Sequence, residues 1–284
     1  MKNNPRIAYF GTPRFATVVL DELKVAGITP SLIVTRPDKP KGRKLIMTPP
    51  EVAVWTHEHD IECVQPEKLD DDFIANLHAR NFDLFIVVAY GKIIPSEIIT
   101  MPRHGTLNVH PSLLPRLRGA SPIESAILHE NETGTTIMQI DEEMDHGPIV
   151  AQKKVAEWSN TDIPKASELE TLLAHESGKL LAEVIPKWLA DSITPQEQEH
   201  DNATYCAKIT KEDGLIDLAD DPEKNYRKIR AFDQWPRAYF FTERNGRQIR
   251  VAIIDASIEN NTLTIKRVVP EGKKEMNYED FLRG

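Results

Sequence analysis

Short apolar runs alternate with amphipathic stretches along this chain as far as Leu189, and that alternation limits its fold more than any other feature. Arg6 to Gly11, Ser31 to Thr35, Asp83 to Ala89, Thr106 to His110 and Thr135 to Ile140 read as strands. Pro13 to Val25, Glu51 to His57, Leu69 to Ala79 and Pro122 to His129 read as helices between them. Strands separated by helices return by crossover, so the expected architecture is α/β with a mostly parallel sheet. From Ala166 to Leu189, the residues Leu169, Leu172, Leu173, Leu180, Leu181, Val184, Ile185, Trp188 and Leu189 recur at helical spacing. Such a stripe marks a long helix facing a core.

The pattern changes after Leu189. Ala190 to Thr204 is polar and reads as an exposed connection. Pro222, following Asp220-Asp221, fits the first turn of a short helix carrying Tyr226, Ile229 and Phe232. Beyond it Ile249, Val251 and Ile253, then Leu263 and Ile265, alternate with polar or small neighbours, so this region reads as small and β-rich. The expected organisation is an α/β domain over 1–189, a linker over 190–207 and a smaller domain over 208–284.

Thr106-Leu107-Asn108-Val109-His110-Pro111-Ser112-Leu113-Leu114-Pro115, followed later by Met144-Asp145-His146-Gly147, reads as an active site. Side chains two apart on a strand share a face, so Asn108 and His110 project together. An amide supplies a fixed donor for an oxygen that becomes negative, and an imidazole carries protons near neutral pH. Asp145 is placed to orient or hold that imidazole. A rigid loop, Ser112 to Pro115, leaves the strand at the end where open α/β sheets bind ligands. Gly11-Thr12-Pro13 after the first strand invites a nicotinamide-binding reading, but the further glycines of that fingerprint are missing and Pro13-Arg14-Phe15 adds bulk. His104, His129 and His146 read as ordinary surface or loop residues.

Charge narrows the partners. The formal net charge of -9 over 284 residues excludes a general nucleic-acid coat, so any RNA contact must be local. Two local candidates exist. Arg36, Lys39, Lys41, Arg43 and Lys44 set five cations against Asp38 in one short loop. Tyr226 to Arg250 carries Arg227, Lys228, Arg230, Arg237, Arg244, Arg247 and Arg250 against Asp233 and Glu243. Cys63 and Cys206 lie too far apart in sequence for a metal or disulfide pattern, so free thiols and no metal are expected. No stretch reaches membrane-spanning length and the N-terminal apolar run is too short for a secretory core, which points to the cytoplasm and no membrane partner.

Asn108-Val109-His110-Pro111-Ser112-Leu113-Leu114-Pro115, with Arg118-Gly119-Ala120-Ser121-Pro122-Ile123, resembles the signature of the 10-formyltetrahydrofolate-dependent formyltransferases. Phe10-Gly11-Thr12-Pro13, Val34 to Pro40, Val88-Ala89-Tyr90-Gly91, Thr135 to Gln139, Ile229-Arg230-Ala231, Trp235-Pro236 and Pro270 to Met276 resemble the methionyl-tRNA branch of that family. The resemblance implies a Rossmann-like formyltransferase domain followed by a shortened β-rich, oligonucleotide-binding-like barrel. It implies that an aminoacyl α-amine on initiator methionyl-tRNA attacks the formyl carbon of 10-formyltetrahydrofolate, without a metal, in a protein acting as a monomer. Asn108 and protonated His110 would donate to the developing oxyanion and Asp145 would stabilise the imidazolium. By the same resemblance Ser112, Leu113, Leu114, Pro115, Val88, Ala89, Tyr90 and Ile93 border the folate, while Arg36, Lys39, Lys41, Arg43 and Lys44 meet the acceptor end of the RNA. The alternative acceptor is an amino-sugar nucleotide.

Overall fold

A computed structural model of the protein describes residues 5–42, 44–244 and 246–283. In chain order the elements are β1 (Ile7–Gly11), α1 (Arg14–Val25), β2 (Leu32–Val34), β3 (Lys39–Lys41), β4 (Ile46–Thr48), α2 (Glu51–Glu58), β5 (Cys63–Val64), α3 (Asp71–Ala79) and β6 (Leu84–Val88). There follow α4 (Ser96–Ile99), β7 (Thr106–His110), β8 (Arg118–Gly119), α5 (Pro122–His129), β9 (Glu132–Gln139), β10 (Ile149–Glu157), α6 (Ala166–Leu189) and β11 (Tyr205–Cys206). The chain closes with α7 (Pro222–Ala231), β12 (Tyr239–Arg244), β13 (Arg247–Glu259), β14 (Thr262–Pro270), β15 (Met276–Asn277) and α8 (Tyr278–Arg283). Two compact units result: Met1–Arg118 with Gly134–Val155 and Thr171–Thr204, and Gly119–Thr133 with Ala156–Glu170 and Tyr205–Gly284.

The first unit is built on a seven-stranded sheet of order β10-β9-β7-β6-β1-β2-β5. From β5 to β7 the neighbours pair in parallel, and β9 joins β7 antiparallel. β1 and β6 are buried at every position, as strands covered on both faces must be. Phe10 and Phe85 meet edge to face there, with ring centroids 5.3 Å apart. α1 buries Phe15, Ala16, Val19, Leu20 and Leu23, one stripe of an amphipathic helix, and gives way at Ala26 to Gly27 with φ +76°. From β1 the chain crosses to β2 on one side and later returns to β6 on the other, so a crevice opens at the carboxyl ends of β1 and β6. Thr12 Oγ1 spans it, donating to the Tyr90 carbonyl at 2.9 Å.

α6 spans the expected residues and buries Leu169, Leu173, Leu181, Val184 and Ile185. Leu172, expected in that stripe, is 44% exposed, because the position beside Leu173 is rotated off the buried face. The polar stretch 190–204 is not uniformly exposed either: Gln198 is buried and Gln196 bridges to Ile149. The basic loop contains an antiparallel hairpin, β3 with β4, whose residues bury little.

In the second unit α5 packs against α7. Pro122 and Pro222 occupy their first turns, and the Asp221 carboxylate accepts from Glu223 N at 2.8 Å to cap α7. An antiparallel sheet of order β12-β13-β14-β15 follows. Much of the expected Tyr226–Arg250 basic patch holds the fold together instead of standing free. Arg227 is 9% exposed and its Nη1 donates to the Ile127 and Glu130 carbonyls, both at 2.8 Å, where α5 leaves carbonyls without helical partners. Arg230 donates to the Ile163 carbonyl, and Arg250 lies over the Tyr239 ring with its Nη2 on the Pro236 carbonyl. Among the described residues no helix is long and apolar enough to cross a membrane.

Candidate active site

β7 ends at the crevice side of the sheet and places Asn108 and His110 on one face. The β7–β9 register sets Met138 opposite Asn108 and Thr136 opposite His110. Asn108 is half-buried, and among the described residues its side-chain amide has no hydrogen-bond partner. His110 is 4% exposed. Its Nε2 lies 2.9 Å from the Leu117 carbonyl oxygen, which can only accept, so Nε2 carries a hydrogen. Nδ1 faces Asp145 Oδ1 at 3.6 Å, longer than a direct hydrogen bond and close enough for a charge contact. A ring protonated on both nitrogens therefore has an acceptor before each. His110 reaches a substrate oxygen only by giving up one of these contacts.

The loop after β7 is tied down from several sides. Ser112, fully buried, donates through Oγ to the Arg116 carbonyl at 2.7 Å. Thr136 Oγ1 donates to the Ser112 carbonyl at 2.7 Å and accepts from Leu114 N at 3.3 Å, while Gln152 Nε2 donates to the Leu114 carbonyl at 2.8 Å. Leu117 N donates to Thr204 Oγ1 at 2.8 Å, and Leu117 adopts a left-handed φ of +60° that turns its carbonyl to His110. Leu117 and Gln152 carry no signal in the sequence, since a backbone carbonyl and an exposed glutamine on an edge strand leave no periodic trace. Asp145 likewise has φ +53°. The neighbouring His146, read as an ordinary loop residue, pairs through Nδ1 with Asp141 at 2.6 Å and stacks on His200 at 4.1 Å.

Of the residues expected at a folate, Val88, Tyr90, Ser112 and Leu114 are buried, Leu113 and Pro115 half-buried, and Ala89 exposed. Ile93 is 94% exposed and belongs to no apolar wall among the described residues. Buried side chains present backbone groups, not surface, to a ligand. At the carboxyl ends of β2 and β6 the buried atoms Thr35 Oγ1, Arg36 Nε and Tyr90 Oη lack hydrogen-bond partners among the described residues. Such atoms are sealed from the surface, and each carries an unmet polar valence at this end of the sheet. Burial pushes the Tyr90 phenol up to about 12 against the pull of Arg36, so it stays a hydroxyl at neutral pH. Gly91 has φ +70°, where a side chain is strained, and an added Cβ would also have to displace the end of the Arg36 side chain, 2.2 Å away at Nη2.

The expected RNA-contacting cations separate into two groups. Arg36 is half-buried over Gly91, whereas Lys39 and Lys41 are exposed on β3 and Lys44 is exposed at the hairpin turn. Lys41 pairs with Glu51 at 2.9 Å. Arg43 lies outside the described residues. Leu45, Ile46 and Met47 make the hairpin's far end apolar and exposed. Among the described residues no group of three or more His, Cys, Asp or Glu side chains is placed to hold a metal ion.

Residues 5–185 match the formyl transferase family, and residues 208–264 match the formyl transferase C-terminal domain. The methionyl-tRNA formyltransferase of Bacillus subtilis is 36% identical over 98% of this chain and 94% of its own. That of Thermodesulfovibrio yellowstonii is 37% identical over 98% and 95%. Among solved structures, a 4-N formyltransferase from Francisella tularensis superposes with TM-score 0.67 at 21% identity, covering 90% of this chain and 98% of that one. The methionyl-tRNA formyltransferase from Clostridium thermocellum gives 0.60 at 19%, covering 94% and 98%, and shares the fold. With both domain models matched in order and relatives of this identity running nearly end to end, the chain belongs to the methionyl-tRNA formyltransferase family of formyl transferases.

Proposed function

We propose that this protein transfers the formyl group of 10-formyltetrahydrofolate to the α-amine of methionine on initiator methionyl-tRNA. The observation that carries the chemistry is a buried His110 set between the Leu117 carbonyl and Asp145, beside the unengaged Asn108 amide at the end of β7. Full-length likeness to methionyl-tRNA formyltransferases supports the acceptor. Folate, when bound, supplies the formyl carbon, and addition of an amine to it leaves negative charge on the formyl oxygen. Asn108 donates to that oxygen. His110 exchanges its Nε2 bond with Leu117 for one to that oxygen while Asp145 faces the other ring nitrogen. Collapse of the adduct breaks the bond between the formyl carbon and the folate nitrogen, which departs with the proton the amine gives up. Ser112 to Pro115 and Val88 to Tyr90 border the folate through backbone groups.

In this reading residues 1–189 carry the chemistry, 190–207 connect, and 208–284 together with Lys39, Lys41, Arg43 and Lys44 face the RNA. The protein works as a cytoplasmic monomer. A sugar N-formyltransferase from Shewanella shares the fold at 16% identity, and that alone does not favour a sugar acceptor. The test is formyl transfer from labelled 10-formyltetrahydrofolate to initiator methionyl-tRNA, elongator methionyl-tRNA and a panel of amino-sugar nucleotides. Transfer selective for the initiator is expected, and transfer to a sugar amine alone would sink the reading.

A further inference from the structure

We propose that Gln198 is a positioning residue for catalysis, holding the Asp145 loop and the Leu117 turn in register so that both face His110. This role rests on the reading of His110 and Asp145 given above. Gln198 lies in the polar stretch after α6, yet it is only 4% exposed. Its Oε1 accepts from Arg118 Nε at 3.1 Å and from Arg118 Nη2 at 2.7 Å. Its Nε2 donates to the Asp145 carbonyl at 2.9 Å and to the Gly147 carbonyl at 2.7 Å. A side-chain amide has two N–H donors and two acceptor lone pairs, and all four are used here. The orientation is therefore forced, since the flipped amide would set N–H groups against a guanidinium and oxygen against two carbonyls.

What this clamp joins gives it consequence. Asp145 sits in the left-handed region, a conformation that is unfavourable for a non-glycine residue and persists only where surroundings impose it. Two carbonyls of its loop are drawn inward by one buried amide. Gly147 passes so close to β9 that a Cβ would stand 2.0 Å from the Gln139 carbonyl oxygen, which fixes the loop's other side. On the acceptor side of Gln198, Arg118 is 2% exposed and directly follows Leu117, whose carbonyl takes the His110 Nε2 hydrogen. Thus one glutamine links the segments that present an acceptor to each nitrogen of His110. The charged or titratable groups around it are Arg118, Asp145, His200 at 2.9 Å from Arg118, and His146 stacked on His200.

Two substitutions test the role. Gln198→Met keeps length and volume but removes all four bonds. Gln198→Glu keeps the Arg118 contact and turns an oxygen toward two carbonyls, which is repulsive when ionised and bonded when protonated. Both should lower kcat about 100-fold at neutral pH, the size expected of a small misplacement, with KM for folate and RNA within about twofold. Relative to the unaltered enzyme, the Glu variant should recover as pH falls and the Met variant should not. Combining Gln198→Met with Asp145→Asn should cost clearly less than the product of the two single losses, because the glutamine acts in part through that carboxylate. Near-normal kcat in either variant, a pH-independent deficit in both, or losses that multiply in the double variant would each overturn the role. If Asp145→Asn itself turns over normally, the reading of the His110–Asp145 pair has failed, whatever Gln198 does. Circular dichroism on each variant separates misfolding from misplacement.

Discussion

Asn108 and Arg227 show how differently two polar side chains act in this molecule. The Asn108 amide is half-buried and holds nothing together among the described residues, so its removal should leave the fold intact. Losing one preorganised oxyanion donor typically costs about 100- to 1,000-fold in turnover. Steady-state kinetics on Asn108→Ala should show that loss in kcat with KM within a few fold, and near-normal turnover would remove Asn108 from the mechanism. Arg227 has the opposite profile, with Nη1 on two backbone carbonyls, Nη2 on Asn131 and Asn160, and Nε on Glu223. Truncating it strands buried acceptors, so Arg227→Met should cost about 3 kcal/mol and lower Tm in a melting experiment. An unchanged Tm with weakened RNA binding would restore Arg227 to an RNA-facing patch. At this scale the sequence made the placement of Asn108 and His110 on one face legible, because strand period and residue chemistry coincide at Thr106 to His110. Gln198 and the Leu117 carbonyl were not legible. Their roles depend on a left-handed turn and a burial that a polar stretch does not announce.

Elements were readable where burial imposed a period. β7, α5 and α6 occupy the residues that alternation, helical spacing and first-turn proline give. β10 escaped because it is an edge strand whose Gln152, Lys153 and Lys154 stand outside the core, and charged edges interrupt alternation. The β3–β4 hairpin escaped for the same reason, since neither strand has a buried face. That exposure is what an RNA contact needs. Lys39 and Lys44 are exposed with no ion pair among the described residues, while Lys41 is paired with Glu51. Replacing Lys39, Lys41 and Lys44 together by alanine should raise KM for methionyl-tRNA and leave KM for folate unchanged. The dependence of RNA binding on salt should flatten by roughly one unit per lysine that meets a phosphate. Filter binding across a salt series reads both quantities, and an unaltered slope would exclude the hairpin from the RNA interface.

Across the whole molecule, the family domains follow the chain while the compact units do not. The family models divide it into 5–185 and 208–264. The second compact unit nevertheless draws Gly119–Thr133 and Ala156–Glu170 from the earlier part of the chain. Within that unit α5 packs on α7, and Arg227 of α7 satisfies the carbonyls at the end of α5. Trp158 N donates to the Asn131 carbonyl at 2.9 Å, and Ser167 N and Oγ both donate to Asp233. A fragment ending at residue 207 would keep α5 and the start of α6 but lose these C-terminal partners, leaving apolar surface and backbone acceptors uncovered. It should therefore lose formyl transfer even to a small amine that needs no RNA contact, and it should aggregate or melt below the full chain. Arg118, which holds Gln198, lies directly before the stripped segment, so disorder there reaches the loop that supplies Leu117. Full activity of the fragment toward a small amine, measured beside its sedimentation profile, would show that residues 208–284 serve the RNA alone. Loss of that activity in a monomeric, folded fragment would place the dependence in the local order of residues 119–133, not in gross instability.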